Sequence, residues 1–308
     1  MSFSNEVKNE LARLEGQSVC CDKAELFGLL RMSGAMILRG RNMGINFSTE
    51  NAALARRILQ MLKTDFKVRT EVVITRSRRL KKNNRYRVGV IPSAEVAAAM
   101  ATLQLLSSSE EARLKLLGKA CCRRAFLRGV FMAGGSVSRP AGDYHLEIVT
   151  ENEELAALIA RVMHGVSLPV KMTDRKNDFI VYLKDGNSIT SFLSIIGAHN
   201  ALMEFENVRI IKELRNNVNR IVNCETANLS KTVQAAVQQV ASIKFIEEHL
   251  GLSKLPPALQ ETAALRLGAP EASLAELAEL TNGGIGKSGI NHRLKKLEQI
   301  AGELGMRM

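Results

Sequence analysis

Cys20-Cys21-Asp22-Lys23-Ala24-Glu25-Leu26-Phe27-Gly28 returns 101 residues later as Cys121-Cys122-Arg123-Arg124-Ala125-Phe126-Leu127-Arg128-Gly129. The same offset carries Gly34 onto Gly135, Thr49-Glu50-Asn51 onto Thr150-Glu151-Asn152, and Leu54 onto Leu155. One offset held over about 35 residues marks an internal duplication. Each copy opens on an apolar stretch with helical spacing, Ala24–Met32 or Ala125–Ala133, that stops near a glycine. Strand-like runs follow at Gly44–Ser48 and Tyr144–Val149. A helix then begins near Thr49 or Thr150, with Thr-Glu-Asn supplying its cap. Val68–Thr75 with Tyr86–Val90, and Val170–Thr173 with Phe179–Leu183, read as hairpins, the second turning at Arg175–Asp178. Helices at Ser93–Leu105 and Ser188–Ile196 close the copies. The expected unit is α-β-α-β-β-α, given twice.

Two glycines stand six apart in each opening helix, Gly28 with Gly34 and Gly129 with Gly135. A glycine costs a helix interior about 1 kcal/mol relative to alanine. Either the two helices pack against each other where a Cβ would not fit, or these glycines mark separate helix ends. Leu26-Phe-Gly-Leu-Leu-Arg-Met-Ser-Gly34 and Leu127-Arg-Gly-Val-Phe-Met-Ala-Gly-Gly135 resemble the paired LAGLIDADG motifs of homing endonucleases. That resemblance implies paired motif helices and two sheets forming a saddle over DNA. In those enzymes the last acid of the motif binds the catalytic metal. Ser33 and Gly134 stand there in this chain, and Arg31 and Met132 occupy the other acidic position. A hard cation needs oxygen ligands, usually carboxylates. The expectation is therefore a domain without catalytic residues, metal ligands or cofactor. The five histidines form no HExxH and pair with no cysteine at ligand spacing, and no P-loop occurs.

The 308-residue chain carries a formal net charge of +12 and a pI near 9.7, which points to a polyanionic partner. The excess is concentrated: residues 1–106 hold 18 Lys+Arg against 9 Asp+Glu, whereas residues 107–206 hold 12 of each. Arg76-Ser-Arg78-Arg79-Leu-Lys81-Lys82-Asn-Asn-Arg85-Tyr-Arg87 packs seven cations into twelve residues at a hairpin turn. With Arg39 and Arg41 these residues are candidates to hold phosphate on the saddle, the alternative being a solvated charged loop. The matching segment of the second copy, Thr173–Asp178, is near neutral, so a saddle would be electrically lopsided. Five cysteines, no CxxC and no secretory leader point to a reducing compartment. The cysteines read as buried small hydrophobes, with a metal or redox role as the alternative. No apolar run is long enough to span a membrane.

The rest of the chain reads as all-helical. Residues 207–254 form a helical linker, with a turn expected near Asn223–Asn228 and an amphipathic helix over Thr232–His249. Asn219, Arg220 and Asn223 either touch DNA or cap helices. From Leu255 the spacing is that of a helix-turn-helix: Pro257–Leu267, then Leu274–Leu280 capped by Ser273 with Glu276 completing a capping box. A turn over Thr281–Gly286 follows, then a third helix over Lys287–Glu303 with Ser288 as its cap. Leu274, Leu277, Ala278, Leu280, Ile285, Ile290, Leu294 and Leu297 form the expected core. Lys287, Ser288, Asn291, His292, Arg293, Lys295 and Lys296 form the expected outer face. On such a face Asn291 suits adenine, Arg293 suits guanine, and Lys295 and Lys296 suit phosphate.

With both regions in view, the whole chain resembles the WhiA family of bacterial regulators. The fold expected is α+β: a duplicated, emptied LAGLIDADG-like α/β saddle domain over 1–206 (repeats about 20–106 and 121–206), the linker over 207–254, and an all-α helix-turn-helix domain over 255–308. The resemblance implies a transcription regulator of cell division, chromosome segregation and, in some lineages, sporulation. It implies double-stranded DNA as partner, a protein co-regulator as a second, and no membrane or small-molecule substrate. A cytoplasmic, nucleoid-associated protein is expected. Two other readings stay open on sequence: a metal-dependent DNA endonuclease, and a protein-docking scaffold that does not bind DNA.

Overall fold

The computed structural model describes residues 2–15, 18–39, 42–76, 84–102, 110–281 and 284–306. The chain divides into two compact units, Met1–Lys212 and Glu213–Met308. The first unit opens with α1 (Phe3–Leu11), which buries Phe3, Val7 and Leu11 at i, i+4 and i+8. Sequence reading missed this helix. The first repeat then runs α2 (Val19–Ser33), β1 (Gly34–Arg39), β2 (Asn42–Thr49), α3 (Ala52–Thr64), β3 (Thr70–Arg76), β4 (Asn84–Ser93) and α4 (Ala94–Thr102). After α5 (Glu110–Leu116), the second runs α6 (Ala120–Gly134), β5 (Gly135–Val137), β6 (Leu146–Thr150), α7 (Glu153–His164), β7 (Lys171–Arg175), β8 (Asp178–Leu183) and α8 (Gly186–Ile196). Both sheets are antiparallel with one order, β1-β2-β4-β3 and β5-β6-β8-β7.

Each repeat thus has one strand more than expected. β1 and β5 start directly at the glycine that ends the motif helix. β1 is exposed almost throughout, with Met36 and Leu38 open to solvent. A strand burying neither face lacks the period-two alternation by which strands are read. β5 has only three residues, and Ser4 of α1 completes its edge: the Ser4 hydroxyl donates to the Val137 carbonyl at 2.8 Å and accepts from the Val137 N–H at 2.9 Å. An otherwise open strand edge is thereby satisfied.

The repeated Thr-Glu-Asn acts in both copies as one device. The Asn51 side chain accepts from the Ala53 and Leu54 N–H groups, and the Asn152 side chain accepts from Leu155. Thr49 and Thr150 in turn accept the N–H of those asparagines. The caps are therefore Asn51 and Asn152. At the β7–β8 turn, Lys176 and Asn177 both take positive φ, 53° and 73°. Two such residues make the tight turn whose twist suits a two-residue hairpin.

The motif helices α2 and α6 pack side by side. A Cβ on Gly28 would lie 2.8 Å from the Phe126 carbonyl oxygen, and one on Gly129 would overlap the Glu25 carbonyl. Phe27 and Phe126 stack across the same seam, ring centroids 5.7 Å apart. Gly34 and Gly135 do something else: they cap their own helices. One glycine of each pair serves close approach and the other helix termination. Leu26, Leu29, Leu127, Val130 and Phe131 around the seam are fully buried. Only Cys21 and Cys122 show the expected burial; Cys20 is half-buried, and Cys121 and Cys224 are exposed.

The turn expected near Asn223–Asn228 does not form. α9 is one helix from His199 to His249. Asparagine lowers helix propensity by less than about 1 kcal/mol, and neither glycine nor proline interrupts the stretch. Gly251, at φ 87°, lies just past its end. The boundary between the two units falls inside α9, and Ile243 and Ile246 of the expected linker belong to the second unit's core. That unit is completed by a short 3₁₀ turn (Leu252–Lys254), α10 (Pro257–Gly268), α11 (Leu274–Glu279) and α12 (Lys287–Glu303).

Candidate nucleic-acid interface

Packing around α12 (Lys287–Glu303) leaves one of its faces outward. Ile290, Leu294, Leu297 and Ala301 repeat at helical spacing and are buried in one cluster with Leu255, Leu259, Ala263 and Leu277. Leu280 is not part of this core but 54% exposed, because α11 ends at Glu279 and the chain turns away. α11 is set by a complete capping box. The Ser273 hydroxyl accepts the Glu276 N–H at 3.3 Å, and the Glu276 carboxylate accepts the Ser273 N–H at 2.7 Å. These bonds hold the Glu276 carboxyl below its ordinary range. Buried Arg266 ties the end of α10 to the next loop, its guanidinium donating to the Ala272 carbonyl at 2.6 Å. Burial lowers the pKa of Arg266.

The cap of α12 differs from expectation. Gly286 is the N-cap and has no side chain to cap the first turn. Ser288 therefore lies inside the helix and is exposed, as are Lys287, His292, Lys295 and Lys296. Lys287 and Ser288 lie in the first turn of α12, whose N–H groups suit phosphate. Lys296 donates to the Gln299 side chain at 3.1 Å. Asn291 and Lys287 occupy one flank, where with Lys231, Gln239, Arg266 and Ser273 they line a cleft of about 300 Å³. Arg293 occupies the other flank. Its guanidinium donates to the Ala258 carbonyl at 3.2 Å and pairs with Glu261 at 3.4 Å, which draws it onto α10.

The first unit offers a second polar surface. Strand register places Arg39, Asn42, Asn46, Ser48, Arg85 and Arg87 on one face of the first sheet, opposite the face that buries Ile45, Phe47, Val88 and Val90. Arg87 lies opposite Ser48 and Arg39 opposite Asn42. Six residues along β2 separate those positions, about 20 Å. Arg85 and Arg87 are thus brought together, and Arg39 is held apart from them. Arg76 pairs with Asn84, in register with the helix-packed face. Arg41, Arg78, Arg79, Lys81 and Lys82 lie outside the described residues. The second sheet differs in charge. Glu147, at the place of Asn46, accepts from Ser136 at 3.1 Å and pairs with His145 at 3.0 Å, and Lys184 sits over the Tyr182 ring.

Family models match three successive stretches: a WhiA N-terminal LAGLIDADG-like domain over residues 19–106, a WhiA LAGLIDADG-like domain over 123–215, and a WhiA C-terminal HTH domain over 218–301. A probable cell division protein WhiA from Alkaliphilus metalliredigens is 47% identical, with 98% of each chain covered. The chain belongs to the WhiA family. A second probable cell division protein WhiA, from Bacillus cytotoxicus, is 46% identical over 99% of this chain and 97% of its own. The crystal structure of full-length DUF199/WhiA from Thermotoga maritima aligns over the whole of both chains with a TM-score of 0.62 at 28% identity.

In this WhiA chain Ser33 and Gly134 stand at the ends of the motif helices, each followed by a glycine. The Ser33 hydroxyl donates to the Leu29 carbonyl of its own helix at 3.1 Å, and an added Cβ at Gly134 would overlap Met32. Arg31, in the last turn of α2, is half-buried, and burial with the nearby Arg113 charge lowers its pKa. Glu25 is already engaged. It is 1% exposed and accepts both Arg57, through Nε and Nη2, and Arg128, through Nη1 at 3.1 Å. Arg128 also donates to the Ile196 carbonyl at 2.8 Å. The carboxylate is therefore committed to joining α2, α3 and α6.

Proposed function

We propose that this WhiA protein is a transcription regulator that binds duplex DNA through α12 and lacks nuclease activity. The observation that carries the reading is the outward face of α12, where Ser288, His292, Lys295 and Lys296 are exposed along a helix whose N-cap is a glycine. Recognition helices contact base edges through their N-terminal residues. Ser288, Asn291 and His292 are assigned to bases, and Lys287, Lys295 and Lys296 to phosphate. Arg293 stays a candidate reader, on condition that it leaves Glu261. Arg39, Arg85 and Arg87, with Arg41, Arg78, Arg79, Lys81 and Lys82, are assigned sequence-independent phosphate contacts by the 1–206 region; Arg76, in register with the opposite face of the sheet, leaves that set. The names of the relatives support a role in cell division. The resemblance extends this to chromosome segregation and sporulation, a protein co-regulator, and a place on the nucleoid in the cytoplasm. Among the described residues, no helix is long and apolar enough to cross a membrane.

The endonuclease reading rests on the duplicated fold and is opposed by Ser33, Gly134 and the committed Glu25. Supercoiled plasmid incubated with the full chain and Mg²⁺ or Mn²⁺ is expected to stay uncut, while selection from random duplexes enriches one motif. Metal-dependent nicking would overturn the first expectation. Failure to retain any duplex at moderate salt would replace the regulator by a docking scaffold.

A further inference from the structure

The two Cys-Cys pairs of the repeat meet in the folded chain. Cys20 and Cys21 are the second and third residues of α2, and Cys121 and Cys122 hold the same places in α6. The seam at Gly28 and Gly129 brings these helix starts together, so that all four Sγ atoms lie within 4.8 Å of one another. We propose that Cys20, Cys21, Cys121 and Cys122 form a tetrathiolate site for a cation of the zinc class.

The chemistry follows from the donor set. Four sulfurs and no carboxylate select a thiophilic cation over Mg²⁺ or Ca²⁺. Tetrahedral zinc holds sulfur at about 2.3 Å, which sets sulfur–sulfur edges of about 3.8 Å. The observed group lies within about 1 Å of that size, a difference that side-chain rotation closes. Two helix N-termini adjoin the cluster, and their positive ends stabilise thiolate charge. The Ser18 hydroxyl donates to Cys21 Sγ at 3.3 Å and lies 3.2 Å from Cys20 Sγ, an outer contact that orients both ligands. Cys21 and Cys122 are buried, Cys20 is half-buried and Cys121 is exposed, which leaves an entry path from the Cys121 side. Loading transfers thiol protons to solvent and moves no electrons.

The site is separate from the end of the motif that holds metal in the endonucleases. From Cys20 to Ser33 is thirteen residues of helix, about 20 Å. A cation here would clasp the starts of both motif helices and so join the two repeats. No CxxC announces it, because each repeat supplies only half of the ligands.

Cobalt(II) titration of the reduced full chain under anaerobic conditions tests this, with zinc as competitor. The expected result is one Co²⁺ per chain, sulfur-to-cobalt charge-transfer absorption, tetrahedral d–d bands, and displacement by one equivalent of Zn²⁺. Cys121→Ser is expected to weaken binding by about tenfold or more, and Cys224→Ser to leave it unchanged. Alkylation of the zinc-loaded wild-type protein, mapped by mass, is expected to label Cys224 and spare the other four. That readout stands even if Cys121→Ser does not fold. Absence of thiolate charge-transfer bands, equal labelling with and without Zn²⁺, or a cross-repeat disulfide in place of bound metal would overturn the proposal.

Discussion

Gly28 and the carbonyl of Phe126 approach so closely that a single methyl group added to the glycine would lie 2.8 Å from that oxygen. The obstacle is backbone, which cannot swing aside as a long side chain can. Alanine would favour the helix by about 1 kcal/mol, while overpacking a filled seam costs about 1–3 kcal/mol and more when backbone must move. Gly28→Ala is expected to lose about 1–2 kcal/mol net in denaturant unfolding. Gly268→Ala is the control, since nothing lies within 4 Å of a Cβ there; it is expected to be neutral or slightly stabilising. Equal effects at the two sites would contradict the account of the seam.

Glu25 joins Arg57 and Arg128 where side-chain exposures are only 1%, 9% and 4%. Burial acts to lower both arginines; the Glu25 contact outweighs it at Arg57, whose pKa is raised, but not at Arg128, whose pKa is lowered. Glu25→Gln removes the shared counter-charge and is expected to cost about 3–5 kcal/mol. Adding Arg128→Met should recover part of that loss. A double-mutant cycle with no coupling would refute the cluster.

Asp185 caps α8 by accepting the Ser188 N–H at 2.8 Å. The Ser188 hydrogen bonds hold its carboxyl below the ordinary range. A depressed folded-state pKa gives stability that is present above the unfolded value, about 3.9, and lost as pH falls through the folded value. Asparagine caps equally well but does not titrate. The stability difference between wild type and Asp185→Asn, a few tenths of a kcal/mol at this exposed site, should be flat above about pH 5 and vanish in more acid solution. A difference that grows on acidification would reverse the sign and reject the cap's role.

Arg293 and Lys295 should respond differently to alanine. Lys295 is exposed on α12, so its loss should weaken all duplexes alike and lower the salt slope by about 1. Arg293 is tied to Glu261, so Arg293→Ala should also loosen α10 against α12, by less than about 1 kcal/mol for so exposed a pair. If Arg293 reads bases through a conformation freed from α10, Glu261→Ala should strengthen the base preference that Arg293→Ala weakens.

Much of the fold was legible because the chain says it twice. The offset linking Cys20 to Cys121 also placed the Asn51 and Asn152 caps, and the Ser273-to-Glu276 spacing announced the capping box. What stayed hidden depends on tertiary partners. β1 buries neither face, β5 is too short to show a pattern, and the asparagines of α9 suggest a break that nothing enforces. Arg293 looked like a base reader because Glu261, its partner, lies 32 residues away in sequence. The thiol cluster needed both repeats in three dimensions.

The central claim, that α12 reads duplex DNA, is tested most directly by measuring sequence selectivity of the full chain at several salt concentrations. Wild type would be compared with Asn291→Ala, His292→Ala and the double variant Arg85→Ala/Arg87→Ala. The account predicts that the α12 variants lose about 1–3 kcal/mol of discrimination while keeping salt-steep binding to unrelated duplex. The sheet variant should lose affinity for every sequence and keep its preference. Selectivity unchanged by the α12 substitutions but abolished by the sheet pair would contradict it.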